Sequence, residues 1–134
     1  IIDAVQIYDC LSNNGILILE GVDKFDCWEL KTLFNRGQAF NDKISICQKD
    51  YEDIKNAGFS KVHLEKIIQY EYYKTENDLL ALLLKTPILD DFSELDISSK
   101  NQIEKDLFDT YVSTHTTEKG IELKRVLYGI VAQK

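Results

Sequence analysis

Few residues of this chain are typed and spaced for covalent or acid–base chemistry. Its three cysteines, Cys10, Cys27 and Cys47, cannot all pair with one another, and none stands in a C-x-x-C. The two histidines, His63 and His115, lie far from them in sequence, so metal-ligand spacing is missing. Free, mostly buried thiols of a reducing compartment are the plain reading. No nucleophile–base–acid triad can be assembled. Glu20 closes an apolar run, where a carboxylate can serve as a base or simply be solvated. Tyr70, Tyr72 and Tyr73 gather near a strand end, as a binding wall or as half-buried packing. His115 follows a helix, where a general base and a helix-terminal cation are both open to it.

Composition narrows the class. The chain has 134 residues, a one-domain length, with 44% hydrophobic and 29% charged residues. Its net charge of -7 argues against a nucleic-acid surface, and Lys124-Arg125 is an isolated basic pair. The longest wholly apolar run is 79–84, too short to span a bilayer, and no signal peptide is visible. A cytoplasmic protein without nucleic-acid or membrane partners is expected.

The elements that position these residues follow from periodicity. Ile1, Val5, Tyr8 and Leu11 form one stripe of an opening helix, closed by Ser12-Asn13-Asn14-Gly15. No cap precedes Ile1, so the helix reads as cut from something longer. Ile16 to Leu19 is a continuous apolar run, the pattern of a strand buried on both faces. Asp26 with Glu29 forms a capping-box-like start for a helix to about Asn35, its aromatics Phe25 and Trp28 placed for core or pocket. A helix over 48–57 turns Tyr51, Ile54 and Ala57 inward and closes at Gly58.

From Phe59 to Tyr73 the period is two, placing Val62, Leu64, Lys66, Ile68, Tyr70 and Tyr72 on one face of a long strand. Thr75 and Asp78 cap an apolar helix that stops before Pro87. After an acidic loop at 90–96, a helix capped near Ser98 or Ser99 turns Ile103, Leu107, Phe108 and Tyr111 inward. A strand over 121–133 ends the chain. The order predicts an α/β fold with a small sheet.

Three passages resemble class I, Rossmann-like, S-adenosylmethionine-dependent methyltransferases. Ile2 to Gly21, IDAVQIYDCLSNNGILILEG, is similar to their helix, glycine turn and fifth strand. Tyr51 to Ile67, YEDIKNAGFSKVHLEKI, is similar to the helix–Ala-Gly-Phe–strand passage into the sixth. Gly120 to Lys134, GIELKRVLYGIVAQK, is similar to the closing seventh strand.

The resemblance implies the C-terminal part of such a sheet: three strands, the last antiparallel between the other two. It implies a single incomplete domain over 1–134, with flanking helices and 76–115 as a helical lid insertion. The glycine-rich loop and the ribose-binding acid would lie upstream, so S-adenosylmethionine is expected in the parent protein and not on this chain alone. Glu20, Phe25, Trp28, Tyr70, Tyr72, Tyr73 and His115 then become candidates for the pocket of a small-molecule methyl acceptor. The alternative is a non-catalytic interaction module, dimerising through an exposed strand edge at 16–20.

Overall fold

Most helices begin where a side chain can accept a hydrogen bond from the unpaired first turn. The computed structural model describes residues 2–90, 92 and 102–134. In helix α1 (Ala4–Cys10) the Asp3 carboxylate accepts from the Gln6 N–H at 3.0 Å. The helix thus has its own cap, and its buried residue is Ala4, while Val5 of the expected stripe is exposed. Ser45 caps α3 (Ile46–Asn56) and Thr75 caps α4 (Glu76–Lys85) in the same way, each at 3.2 Å. A 3₁₀ turn at Pro87–Leu89 follows α4, and α5 spans Gln102–His115. The cap expected at Ser98 or Ser99, and most of the acidic loop, fall outside the described residues.

Helix α2 (Trp28–Phe34) departs from this rule. Its N-cap is Cys27, in the left-handed region at φ 52° and without a side-chain cap bond. Asp26, just before it, is buried, and its Oδ1 accepts from the Val126 N–H at 2.8 Å. A buried strand N–H without a partner is costly, so the carboxylate serves the sheet.

The strands are β1 (Ile16–Val22), β2 (Ser60–Tyr73), β3 (Thr116–Thr117) and β4 (Gly120–Gln133). They run in the order β1–β4–β2, and β3 also pairs with β4. β1 and β4 are antiparallel, from Ile16 opposite Gln133 to Val22 opposite Leu127. The Ser60 hydroxyl at the start of β2 donates to the Gln133 carbonyl at the end of β4. The Tyr72 hydroxyl near the end of β2 meets Glu122 near the start of β4. β2 is therefore antiparallel to β4, and the last strand lies between the first two. The expected count of three strands becomes four, because the two threonines after His115 pair back onto Gly120 and Ile121 as β3.

The chain divides into two compact units. The first holds Ile1–Asp26, Asp42–Ile68 and Val126–Lys134; the second holds Cys27–Asn41 and Gln69–Arg125. Each has its own core. In the first, Ala4 of α1 and Cys47 and Ile54 of α3 pack with Tyr128, Ile130 and Ala132 of β4. In the second, Leu30 and Phe34 of α2, Leu79 and Leu83 of α4 and Phe108 of α5 pack with Leu123.

Three sequence expectations need correction. β1 is not buried on both faces: Leu17 and Leu19 pack on the first core, while Ile18 is 69% exposed. An unbroken apolar run cannot distinguish one covered face from two. Ile103 is 73% exposed, although Phe108 and Tyr111 of the same helix are buried. The single inward face of β2 also fails. Val62 and Leu64 pack on the first core, whereas Glu71 and Tyr73 are half-buried further along, and Ile68, Tyr70 and Tyr72 are exposed.

β4 changes parity too, burying Ile121 and Leu123 and then Val126, Tyr128 and Ile130. The change falls at Lys124–Arg125. The Cys27 N–H donates to the Lys124 carbonyl at 3.0 Å, and the Asp23 N–H to the Val126 carbonyl at 2.9 Å. Backbone bonds from a distant turn fix this register, and a period-two pattern carries no sign of them.

Candidate functional site

In the second unit the end of β2 and the start of β4 come together. Gly120 sits at φ +123°, and a Cβ there would stand 2.6 Å from the Tyr73 carbonyl oxygen. Only glycine permits this approach. Beside it lies an open groove of about 560 Å³. Lys74, Thr75 and Glu76 line it at the start of α4, Val112, Thr116 and Thr117 near the end of α5, and Lys119 and Gly120 at the β4 turn.

A network of tyrosines and carboxylates is built on the same two strands. The Tyr73 hydroxyl donates to Glu71 Oε2 at 2.6 Å, and Arg125 Nη1 reaches the two Glu71 oxygens at 3.3 and 3.5 Å. Burial, then the hydrogen bond to Glu71, pushes the Tyr73 phenol well above its ordinary range. Tyr111 donates to the Glu122 carbonyl at 2.8 Å, and burial raises its phenol strongly as well. Tyr72 donates to the Glu122 carboxylate, and the Lys119 ammonium stands 5.4 Å from its ring. Desolvation, then Glu122, raises the Tyr72 phenol. All three phenols keep their protons at neutral pH. They are hydrogen-bond donors, not bases.

Five of the seven residues expected from sequence lie in this unit. Tyr72 and Tyr73 belong to the network, and Tyr70 is exposed. Trp28 packs against Phe40, ring centroids 5.3 Å apart. His115 stacks on Tyr111, with Nδ1 beside the Tyr111 carbonyl and Nε2 beside the Glu29 carboxylate. Glu20 and Phe25 belong to the first unit. Glu20 is exposed on β1 opposite Gly129. Phe25 is exposed in the turn before α2, not on a buried helix face, with the Lys24 and Lys66 ammoniums each 5.9 Å from its ring.

Sequence reasoning passed over Glu29, Glu71, Tyr111, Glu122 and Arg125 as site residues. Glu71 and Tyr73 stand two apart on one strand, a spacing that could have signalled their contact. The pairing of Glu71 with Arg125 spans 54 residues and leaves no local trace.

The first unit holds a second polar cluster. The Tyr128 hydroxyl donates to Asp50 Oδ2 at 2.6 Å, both residues being buried. Burial and that bond push the Tyr128 phenol well up. Asp23 is buried. Its Oδ2 accepts from the Phe25 N–H at 3.1 Å, and its Oδ1 lies 3.7 Å from the Lys66 ammonium. Burial and then Asp23 raise the nearby Cys47 thiol, which makes it an inert thiol and not a nucleophile.

No protein-family model matches the chain, and no curated protein matches it either. Among the described residues no three His, Cys, Asp or Glu side chains could together hold a metal ion. No helix among them is long and apolar enough to cross a membrane. Gly37 and Gly120 have protein atoms 2.6 Å from where a Cβ would stand, so neither offers a cradle to a ligand.

Proposed function

We propose that the chain is the C-terminal part of a Rossmann-like, S-adenosylmethionine-dependent methyltransferase, contributing the side that receives a small-molecule methyl acceptor. One observation carries the reading: β4 runs antiparallel between β1 and β2. This is the order that the three sequence landmarks imply, and the Ala57-Gly58-Phe59 passage falls at the junction of α3 and β2. The groove beside Gly120 is where an acceptor would sit, with 76–115 as its lid. Methyl transfer is an in-line displacement, so positioning and exclusion of water supply most of the acceleration. The Tyr, Glu and Arg network would orient acceptor groups by donating to and accepting from them. The cofactor would be held by residues outside this chain.

Isothermal titration of S-adenosylmethionine is the test. We expect saturable binding by the whole encoded protein and none by residues 1–134 alone. A whole protein that does not bind, or a reading frame opening at Ile1, would sink the reading.

A second reading, an interaction module, is favoured by the edge of β1. Lys134 N–H donates to the Gly15 carbonyl, and Asp23 N–H to the Val126 carbonyl, so the odd-numbered residues of this stretch bond toward β4. Ile16, Ile18, Glu20 and Val22 therefore turn their N–H and C=O groups to an edge without a strand partner among the described residues. This reading expects a dimer that dissociates when Ile18 becomes proline, since proline removes an edge donor. A monomer in size-exclusion chromatography with light scattering would count against it.

A further inference from the structure

We propose that a pocket along α3 in the first unit binds an aliphatic diamine, its ammonium groups against Asp50 and Asp53 and its methylenes against Ile44 and Ile46. Ile46, Lys49, Asp50 and Asp53 recur at the three- and four-residue spacing that puts side chains on one stripe of a helix, here α3. Asp42 and Ile44, from the segment before that helix, complete the lining of a cavity of about 210 Å³. All of these residues belong to the first unit. The lining carries three carboxylates against one ammonium, that of Lys49, and they outweigh the positive end of α3. Ile44 is 64% exposed, an apolar surface left open beside them.

Asp50 sets this pocket apart from a solvated acidic helix face. It is 5% exposed, and the buried Tyr128 hydroxyl, which keeps its proton, donates to its Oδ2 at 2.6 Å. The tyrosine thus fixes the carboxylate and uses one of its oxygens. Oδ1 has no hydrogen-bond partner among the described residues and is not enclosed, so it opens on the pocket that Asp50 lines. The same cluster holds a second carboxylate, Asp23. It is 1% exposed, and its Oδ1 lacks a hydrogen bond and has the Lys66 ammonium at 3.7 Å. Burial, then Asp23, and more weakly Asp50 raise the Cys47 thiol, with Lys66 opposing them. Two buried carboxylates against one lysine leave an excess of negative charge that an incoming cation neutralises.

The acids that line the pocket do not converge on a point. No three His, Cys, Asp or Glu side chains among the described residues could together hold a metal ion. Carboxylates spread along a helix stripe, with isoleucines beside them, match a chain with separated charges and an apolar middle. Its ammonium groups supply the donors that a bare carboxylate oxygen lacks.

Isothermal titration near neutral pH tests this with cadaverine, which has two ammonium groups, pentylamine, which has one, and pentanol, which has none. We expect saturable binding of cadaverine, weaker binding of pentylamine and none of pentanol. Asp50→Asn keeps an acceptor for Tyr128 and should weaken cadaverine about ten-fold, the cost of losing a charged hydrogen bond. Asp53→Asn, nearer the surface, should weaken it about two- to five-fold, and it tests the site even where the first variant fails to fold. No saturable binding of cadaverine, pentanol bound as tightly as cadaverine, or unchanged affinity in both variants would overturn the proposal. Magnesium chloride displacing cadaverine better than sodium chloride of equal ionic strength would assign the pocket to a metal ion and overturn it as well.

Discussion

Gly21→Ala is expected to destabilise the protein by about 3 kcal/mol, the sum of an overpacked core and a disturbed hydrogen bond to a buried carboxylate. A Cβ at Gly21 would stand 2.4 Å from both Cζ and Oη of Tyr128. The tip of a tyrosine can usually swing aside. Here the ring is 3% exposed, and its hydroxyl holds Asp50 at 2.6 Å. Moving it would leave that carboxylate, 5% exposed, without its donor. Tyr128→Phe removes the donor without the clash and should cost about 1–3 kcal/mol. Urea denaturation of both variants separates the two contributions. A Gly21→Ala protein within about 0.5 kcal/mol of wild type would mean that the ring relaxes freely.

Leu123→Ala should be among the damaging truncations in the second unit, at about 2–5 kcal/mol. Leu123 is fully buried and belongs to the same core as Leu30, Leu79, Leu83 and Phe108, drawn from three helices. The cavity would open where those helices meet the strand, and backbone hydrogen bonds hold β4 from collapsing into it. Ile103→Ala is the matched control. Helical periodicity alone turns Ile103 inward, but it is 73% exposed, and its loss should change stability by no more than about 0.5 kcal/mol. Similar costs for the two variants would show the packing of α5 to be wrong.

These pairs of residues also mark how far the sequence can be read. The α/β class, the helix from Thr75 to Lys85, its stop before Pro87 and the long strand ending at Tyr73 were all legible, because caps, proline and periodicity act over a few residues. Phe108 and Tyr111 were legible as inward residues for the same reason. The helix start signalled by Asp26 and Glu29 was legible, but the left-handed N-cap at Cys27 was not. The acid of Asp26 was needed by a backbone N–H a hundred residues away, at Val126.

The candidate site divides along the same line. Local pattern marked Tyr72, Tyr73 and His115, whose positions at a strand end and a helix end follow from neighbouring residues. It did not show that Tyr73 is tied to Glu71 and Arg125, or that His115 stands beside Glu29. The sequence by itself determined which elements form, because their signals lie within one or two turns of chain. The tertiary structure decided which face of each strand is buried and which carboxylate meets which donor. Those outcomes depend on groups brought together from 50 to 100 residues apart, as in Glu71 with Arg125 and Asp26 with Val126. The cost of burying a polar group unpaired selects among the possible partners, and no local pattern records that choice.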